Sequence, residues 1–162
     1  MAREEQNRED LLREATALVE RIELRAEAWS EPLVAGFRRD GSASWYFGAD
    51  CAFQFNAQRE LRRGFRNGQL IAAERGRLYR LTRERTATAT TLVRQEFTDD
   101  QTREFLAEAH VRLAELAAIL ASGAFTTVGQ HPPEADIVGR LGAWLVELPA
   151  EIPVAKSPGV AR

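Results

Sequence analysis

The spacing of apolar residues divides the chain into a helical segment, a run of strands and two further helices. Between residues 5 and 29 apolar side chains recur every three or four positions, which predicts one amphipathic helix. Pro32 follows and prevents the helix from continuing. The apolar stripe of this predicted helix consists of Leu11, Leu12, Ala15, Leu18, Val19, Ile22, Ala26 and Trp29.

Residues 33–97 show the pattern of short strands separated by turns. Asp40-Gly41 and Asn67-Gly68 are typical of two-residue type I′ turns, in which both central residues take positive φ, and Arg75-Gly76 is a weaker third. Sequential strands joined by tight turns form an antiparallel meander, because a parallel pair needs a long crossover. The predicted strands are 33–39, 43–47, 51–56, 60–66, 69–74 and 77–84, with a seventh over 88–97.

After Phe97 the helical period returns and predicts two more helices. The first begins at a capping box from Thr98 to Gln101 and ends before Gly123, which suits the C′ position. The second follows Pro132-Pro133. Two glycines inside it, at positions 139 and 142, lower its helix propensity and are expected to let another element approach closely.

These elements predict an α+β fold in a single domain over residues 1–148. A six- or seven-stranded antiparallel β-meander, barrel-like or open, is expected to pack against an N-terminal helix and two C-terminal helices. Residues 149–162 contain three prolines and are expected to form a flexible tail. The long N-terminal helix is the predicted contact of a homo-oligomer.

Composition limits the class of protein. A chain of 162 residues supports one ordinary core, and no apolar run is long enough to cross a membrane. The charged N-terminus has no apolar signal segment, and a single cysteine, Cys51, forms no internal disulfide. We therefore expect a cytoplasmic protein that does not bind membranes.

Charge is strongly segregated along the sequence. Residues 33–97 carry twelve arginines and six carboxylates, a net charge of +6, whereas residues 1–32 and 98–162 each carry five basic and nine acidic groups, a net charge of −4. Of the 22 basic residues only Lys156 is a lysine. A local basic field attracts phosphates and acidic partners, so its position matters more than the net charge of −2.

The predicted turns fix which side chains share a face of the sheet. A two-residue turn at Asn67-Gly68 pairs Arg66 with Gln69, and one at Arg75-Gly76 pairs Ile71 with Arg80. The face interpreted as core then carries Leu61, Phe65, Leu70, Ala72, Tyr79 and Leu81. The face interpreted as solvent-exposed carries Arg62, Gly64, Arg66, Ile71, Ala73, Leu78, Arg80 and Thr82. A turn at Asp40-Gly41 likewise places Gly36 opposite Trp45, and Arg38 beside Trp45 and Phe47.

This basic face leads to three functional hypotheses. The first is a non-enzymatic protein that binds a polyanion, most plausibly nucleic acid, through Arg62, Arg66 and Arg80, with Arg38 and Trp45 as further contacts. The second is an interaction or assembly subunit that selects an acidic partner, and the third is a small hydrolase-like enzyme. An alternative without a ligand is that the acidic helices pack against the basic sheet and neutralise it.

No catalytic, metal or cofactor site is predicted. Cys51 could pair with His110 or His131, but it lies at the start of an apolar strand, where a buried cysteine is the ordinary explanation. The only other metal-compatible group, His131 with Glu134 and Asp136, is better explained as the start of a helix. Glycine-rich nucleotide-binding motifs are absent from the sequence.

Overall fold

The part of the chain that the structure describes folds into a nine-stranded antiparallel sheet and two helices. The computed structural model describes residues 18–48, 50–128 and 135–156. In chain order the elements are β1 (Glu20–Arg25), β2 (Leu33–Phe37), β3 (Ala43–Phe47), β4 (Cys51–Phe55), β5 (Leu61–Arg66), β6 (Gln69–Glu74), β7 (Arg77–Arg85), β8 (Thr90–Glu96), α1 (Asp99–Ser122), β9 (Thr126–Thr127) and α2 (Ala135–Val146). The α+β class is confirmed, with more strands than predicted.

The strands follow one another across the sheet in the order β8-β7-β6-β5-β4-β3-β2-β1-β9. The sheet is open, because β8 and β9 lie at opposite edges, so the barrel-like alternative is wrong for the described strands. Asn67 and Gly68 have φ of 52° and 81°, and Arg75 and Gly76 have 56° and 77°. Both pairs therefore form the predicted type I′ turns, and the predicted registers of β5–β6 and β6–β7 are confirmed.

The turn at Asp40-Gly41 differs from the prediction by one residue. Only Gly41 takes positive φ, 88°, and the amide of Arg38 donates to the carbonyl of Ser42 at 3.0 Å, so three residues connect the strands. The amide of Ser42 donates to Oδ1 of Asp40 at 2.9 Å and stabilises the turn, and hydrogen bonding by Ser42 lowers the pKa of Asp40. Gly36 consequently lies opposite Ser44 rather than Trp45.

The predicted helix over 5–29 is wrong from residue 20 onward, and residues 1–17 lie outside the described part of the chain. Glu20–Arg25 forms strand β1, which pairs with β2 over five residues and with β9 over two. The sequence there also alternates, since Ile22 and Leu24 are buried between polar neighbours. A helix would have left Leu24 on its polar side, so strand pairing overrides the helical period. Because residues 20–25 form a strand, they cannot belong to the continuous helix on which a homo-oligomer contact was predicted.

The two helices pack on one face of the sheet. Helix α1 begins at the predicted capping box at Thr98 and ends at Gly123, whose φ is 74°. Phe105 of α1 contacts Phe53 with ring centroids 5.7 Å apart, and Trp144 of α2 lies 5.1 Å from Trp45. These rings form the main core, and we call this side of the sheet the helix face. The opposite face carries a smaller buried cluster of Tyr46, Ala52 and Phe65.

Residues 149–156, the described part of the predicted flexible tail, pack against the sheet. Ile152 and Ala155 are buried. The amide of Leu61 donates to the carbonyl of Pro153 at 2.8 Å, and the amide of Ala155 donates to the carbonyl of Leu61 at 2.9 Å. The composition of this segment suggested a flexible tail, but burial of its apolar residues holds it against the sheet.

Gly64 has a packing role that Gly139 lacks. A Cβ at Gly64 would lie 2.7 Å from Cζ of Phe105, so the missing side chain makes room for the aromatic ring. At Gly139 and Gly142 no described heavy atom lies within 4 Å of such a Cβ, so no described element makes the predicted close approach there.

We therefore expect opposite effects from two glycine-to-alanine substitutions. Gly64→Ala should lower the free energy of unfolding by about 1–3 kcal/mol, because Phe105 must move. Gly139→Ala should raise it by about 0.5–1 kcal/mol, because alanine favours the helix and meets no neighbour. Urea unfolding monitored by circular dichroism measures both. Equal effects of the two substitutions would show that Phe105 does not pack against Gly64.

Candidate polyanion-binding surface

The arginine-bearing face of β5–β7 lies under the helices and not in solvent. Although the predicted registers are right, the two faces were assigned the wrong way round. Ile71 and Leu78, predicted to be on the wet face, are each 1% exposed in the main core, whereas Tyr79 and Leu81 of the predicted core face are partly exposed. Small residues on the arginine face, Gly64 above all, admit the helix side chains. The size of the apolar side chains alone therefore did not identify the face that is buried.

Arg66 and Arg80 lie on the helix face and cover the edge of the aromatic core. The Arg66 guanidinium lies 5.1 Å from the ring centroid of Phe105, and its Nη1 lies 3.3 Å from Oε2 of Glu108. The Arg80 guanidinium lies 5.3 Å from the ring of Phe97. Both therefore make cation–π contacts within the fold, and Arg66 is also paired with a helix carboxylate.

The other predicted site residues do not join them. Trp45 is fully buried against Trp144, so it offers no stacking surface. Arg38 points to the opposite face, where its Nη1 donates to Oγ of Ser44 at 2.7 Å, because the longer turn reverses its side. Arg62 is partly buried and engaged within the chain, next to the irregularity in the β4–β5 register. The five residues do not form one open site.

Several arginines connect the sheet to the helices through ion pairs. Arg66 contacts Glu108 and Arg77 contacts Asp99, with N–O distances of 3.3 and 3.7 Å. Ion pairs also join Arg59 to Glu147 and Arg140 to Glu20. Three of these four pairs join an arginine of the basic segment to a carboxylate of the acidic C-terminal segment, as the neutralisation alternative expects, whereas Arg140 and Glu20 both belong to acidic segments.

Two arginines at the end of β7 have no such partner. Beyond Leu81, the last residue of β7 that pairs with β6, β8 is the only described strand that continues beside β7. We call this two-stranded extension, residues 82–93, the ribbon. Arg83 and Arg85 are exposed, and within the described residues neither makes an ion pair.

Strand alternation places these two arginines on one face of the ribbon. Arg83 lies opposite Leu92, and Leu81 lies opposite Arg94, so all four side chains share the face that points away from the helices. Arg94 is held there by Glu74, at 2.7 Å, and by the ring of Tyr79. Glu84 lies on the other face. We call the surface formed by Arg83, Arg85 and Leu92 of the ribbon, together with the adjoining Arg94, the basic ribbon face.

A sequence signal for the ribbon existed. From residue 83 to residue 91 neither the odd-numbered nor the even-numbered positions are mainly large and apolar. Neither face of a strand over this stretch could therefore enter a core. Arginines at i and i+2 in such a stretch must share an exposed face. The hairpin around Ala87-Thr88 therefore could have been recognised as a projecting arm.

The described residues support neither Cys51 as a nucleophile nor a metal site. Burial raises the pKa of Cys51 to about 12, so its thiol is unreactive near neutral pH. Among the residues that the structure describes, no three His, Cys, Asp or Glu side chains cluster to hold a metal ion. His131 lies outside the described part of the chain. An open cleft of about 760 Å³ beside Trp29, Ile119 and Phe125 is lined mainly by apolar groups.

Neither of the described helices is long and apolar enough to span a membrane. Comparison of the sequence with protein-family models and with curated proteins, and of the fold with solved structures, finds no match.

The Arg66–Glu108 contact predicts how the fold responds to charge reversal. Arg66→Glu should lower the free energy of unfolding by about 1–2 kcal/mol, because it removes a cation–π contact and places two carboxylates together. Adding Glu108→Arg should recover part of this loss. Arg83→Glu serves as the control and should change stability by less than about 0.5 kcal/mol. If Arg66→Glu is as harmless as Arg83→Glu in urea unfolding, Arg66 is not part of the helix–sheet contact.

Proposed function

We propose that the protein is a non-enzymatic binding protein whose basic ribbon face contacts a polyanion, most plausibly nucleic acid. The observation that carries this proposal is the pair Arg83 and Arg85, exposed on one face of a projecting hairpin without an ion pair in the described chain. In this proposal the ribbon replaces Arg62, Arg66 and Arg80 as the contact surface. A cytoplasmic location remains a prediction from composition.

The shape and spacing of the ribbon support nucleic acid as the ligand. Side chains at i and i+2 on a strand stand about 7 Å apart, so two guanidinium groups can reach successive phosphates of one strand. A two-stranded ribbon also fits the major groove of B-DNA. Leu92 between the arginines offers an apolar contact, and Thr90 adds a hydroxyl donor on the same face.

A charge-reversed ribbon tests the proposal. Fluorescence anisotropy with short labelled single- and double-stranded oligonucleotides should detect binding that weakens steeply as salt rises. Arg83→Glu combined with Arg85→Glu should weaken it at least about tenfold near 100 mM salt and reduce the salt slope by about two, because two phosphate contacts are lost.

The matched control is Arg25→Glu combined with Arg39→Glu, which changes the net charge equally at two exposed arginines outside the ribbon. It should keep its affinity within about twofold. Equal weakening in both variants would mean that net charge alone drives binding. No binding of any oligonucleotide at about 50 mM salt would end the nucleic-acid proposal. Binding of polyglutamate but not of oligonucleotides would instead favour the acidic-partner alternative.

A further inference from the structure

The two edges of the sheet are unequal. At one edge β9 contains two residues, Thr126–Thr127, and offers little backbone to a partner. At the other edge β8 contains seven residues, Thr90–Glu96, paired along their whole length with β7 and with no described strand on the outer side. A long free edge presents a row of unpaired amides and carbonyls to another strand.

Two of the usual protections of an edge strand, a proline and a bulge, are absent from β8. It contains no proline, and its register with β7 runs through seven successive pairs without a bulge. The Arg94 guanidinium contacts Glu74 and the ring of Tyr79 within its own sheet, so it does not extend over the outer side of β8. Leu92 is 57% exposed. Natural proteins avoid such edges unless the strand is paired or covered.

Two backbone hydrogen bonds show which residues of β8 face outward. The amide of Thr86 donates to the carbonyl of Ala89 at 2.8 Å, and the amide of Phe97 donates to the carbonyl of Leu78 at 2.9 Å. Hydrogen-bonded pairs alternate in an antiparallel hairpin, so between these ends the odd-numbered residues of β8 bond to β7. The even-numbered residues direct their amides and carbonyls to the free edge. They are Thr90, Leu92, Arg94 and Glu96.

We infer that β8 pairs with β8 of a second copy of the chain, antiparallel and with a twofold axis at Val93. This register overlaps all seven residues and joins outward-facing residues to one another, Thr90 to Glu96 and Leu92 to Arg94. No like charges lie opposite each other, whereas a shift of the axis to Arg94 would put two arginines in contact. The exposed side chain of Leu92 lies beside the aliphatic stem of the partner's Arg94.

A second copy fits this edge better than an unlimited series of copies does. The twofold contact uses the same strand on both chains, so it closes at two. Growth into a fibre would require β8 to pair with β9 of another chain, and β9 matches only two of its seven residues.

The dimer has a consequence for the basic ribbon face, although the inference does not rest on polyanion binding. A twofold axis perpendicular to the sheet keeps both ribbon faces on the same side. The row through Arg83 and Leu92 then continues into the partner's Arg94 and the partner's Leu81. Two copies thus form one strip of six arginines with leucines between them.

Oligomeric state and edge variants test the dimer. Light scattering after size exclusion should give the mass of two chains of 18.1 kDa each. Leu92→Pro removes an outward amide but none that bonds to β7, and Leu92→Lys sets a cation against the partner's Arg94. Both should give monomers, whereas the control Val146→Lys, at an 82% exposed valine on α2, should stay dimeric. A monomeric wild type, or dimers that survive Leu92→Lys, would overturn the inference.

Cysteine cross-linking tests the register directly. Val93→Cys places two thiols in a non-hydrogen-bonded pair with Cα atoms about 4.5 Å apart, a distance that a disulfide spans. Thr91→Cys, on the same face, places its thiols about 14 Å apart because Thr91 lies opposite the partner's Gln95. Mild oxidation should cross-link only the first variant, and buried Cys51 leaves the wild type uncross-linked. Equal cross-linking of both variants would overturn the register, and none in Val93→Cys would overturn the pairing.

Discussion

The packing of aromatic side chains from two helices onto one face of the sheet is the constraint on which the other features depend. Phe105 packs against Phe53 and over Gly64, the cross-strand neighbour of Phe53 on β5, where a Cβ would clash with the Phe105 ring. Trp144 fills the neighbouring space against Trp45 and Phe55. This packing decides which face of every strand is buried, and it therefore decides which arginines remain in solvent.

The segregation of charge acquires a structural meaning from this packing. Arginines at the border of the aromatic core lie over its rings. Arg66 also contacts Glu108 of α1, and Arg59 also contacts Glu147, the residue that follows α2. Such contacts add modest energy singly, but they orient the helices by matching opposite charges. Three arginines of the basic middle segment, Arg59, Arg66 and Arg77, thus pair with carboxylates of the acidic C-terminal segment. Arg83 and Arg85 lie on strands that extend beyond the core and make no ion pair within the described residues, so their charge is available to a ligand.

Sequence reasoning predicted what local chemistry determines. Positive φ at Asn67-Gly68 and Arg75-Gly76, the capping box at Thr98 and the register of three strands were all readable, because each depends on a few adjacent residues. The side of the sheet that the helices cover was not, since both faces of β5–β7 carry apolar residues and only tertiary packing selects one. For the same reason Trp45 was predicted as an exposed contact although it is buried. Strand β1 was not predicted because its alternating residues also fit a helical period.

Arginine side-chain NMR tests most directly the claim that the central arginines belong to the fold and the ribbon arginines are free. Relaxation and hydrogen exchange of the Nε–Hε groups report the order and protection of each guanidinium separately. Ordered, slowly exchanging groups are expected for Arg66 and Arg80, and mobile, rapidly exchanging groups for Arg83 and Arg85. Mobile groups at Arg66 and Arg80, equal to those of the ribbon, would contradict this claim.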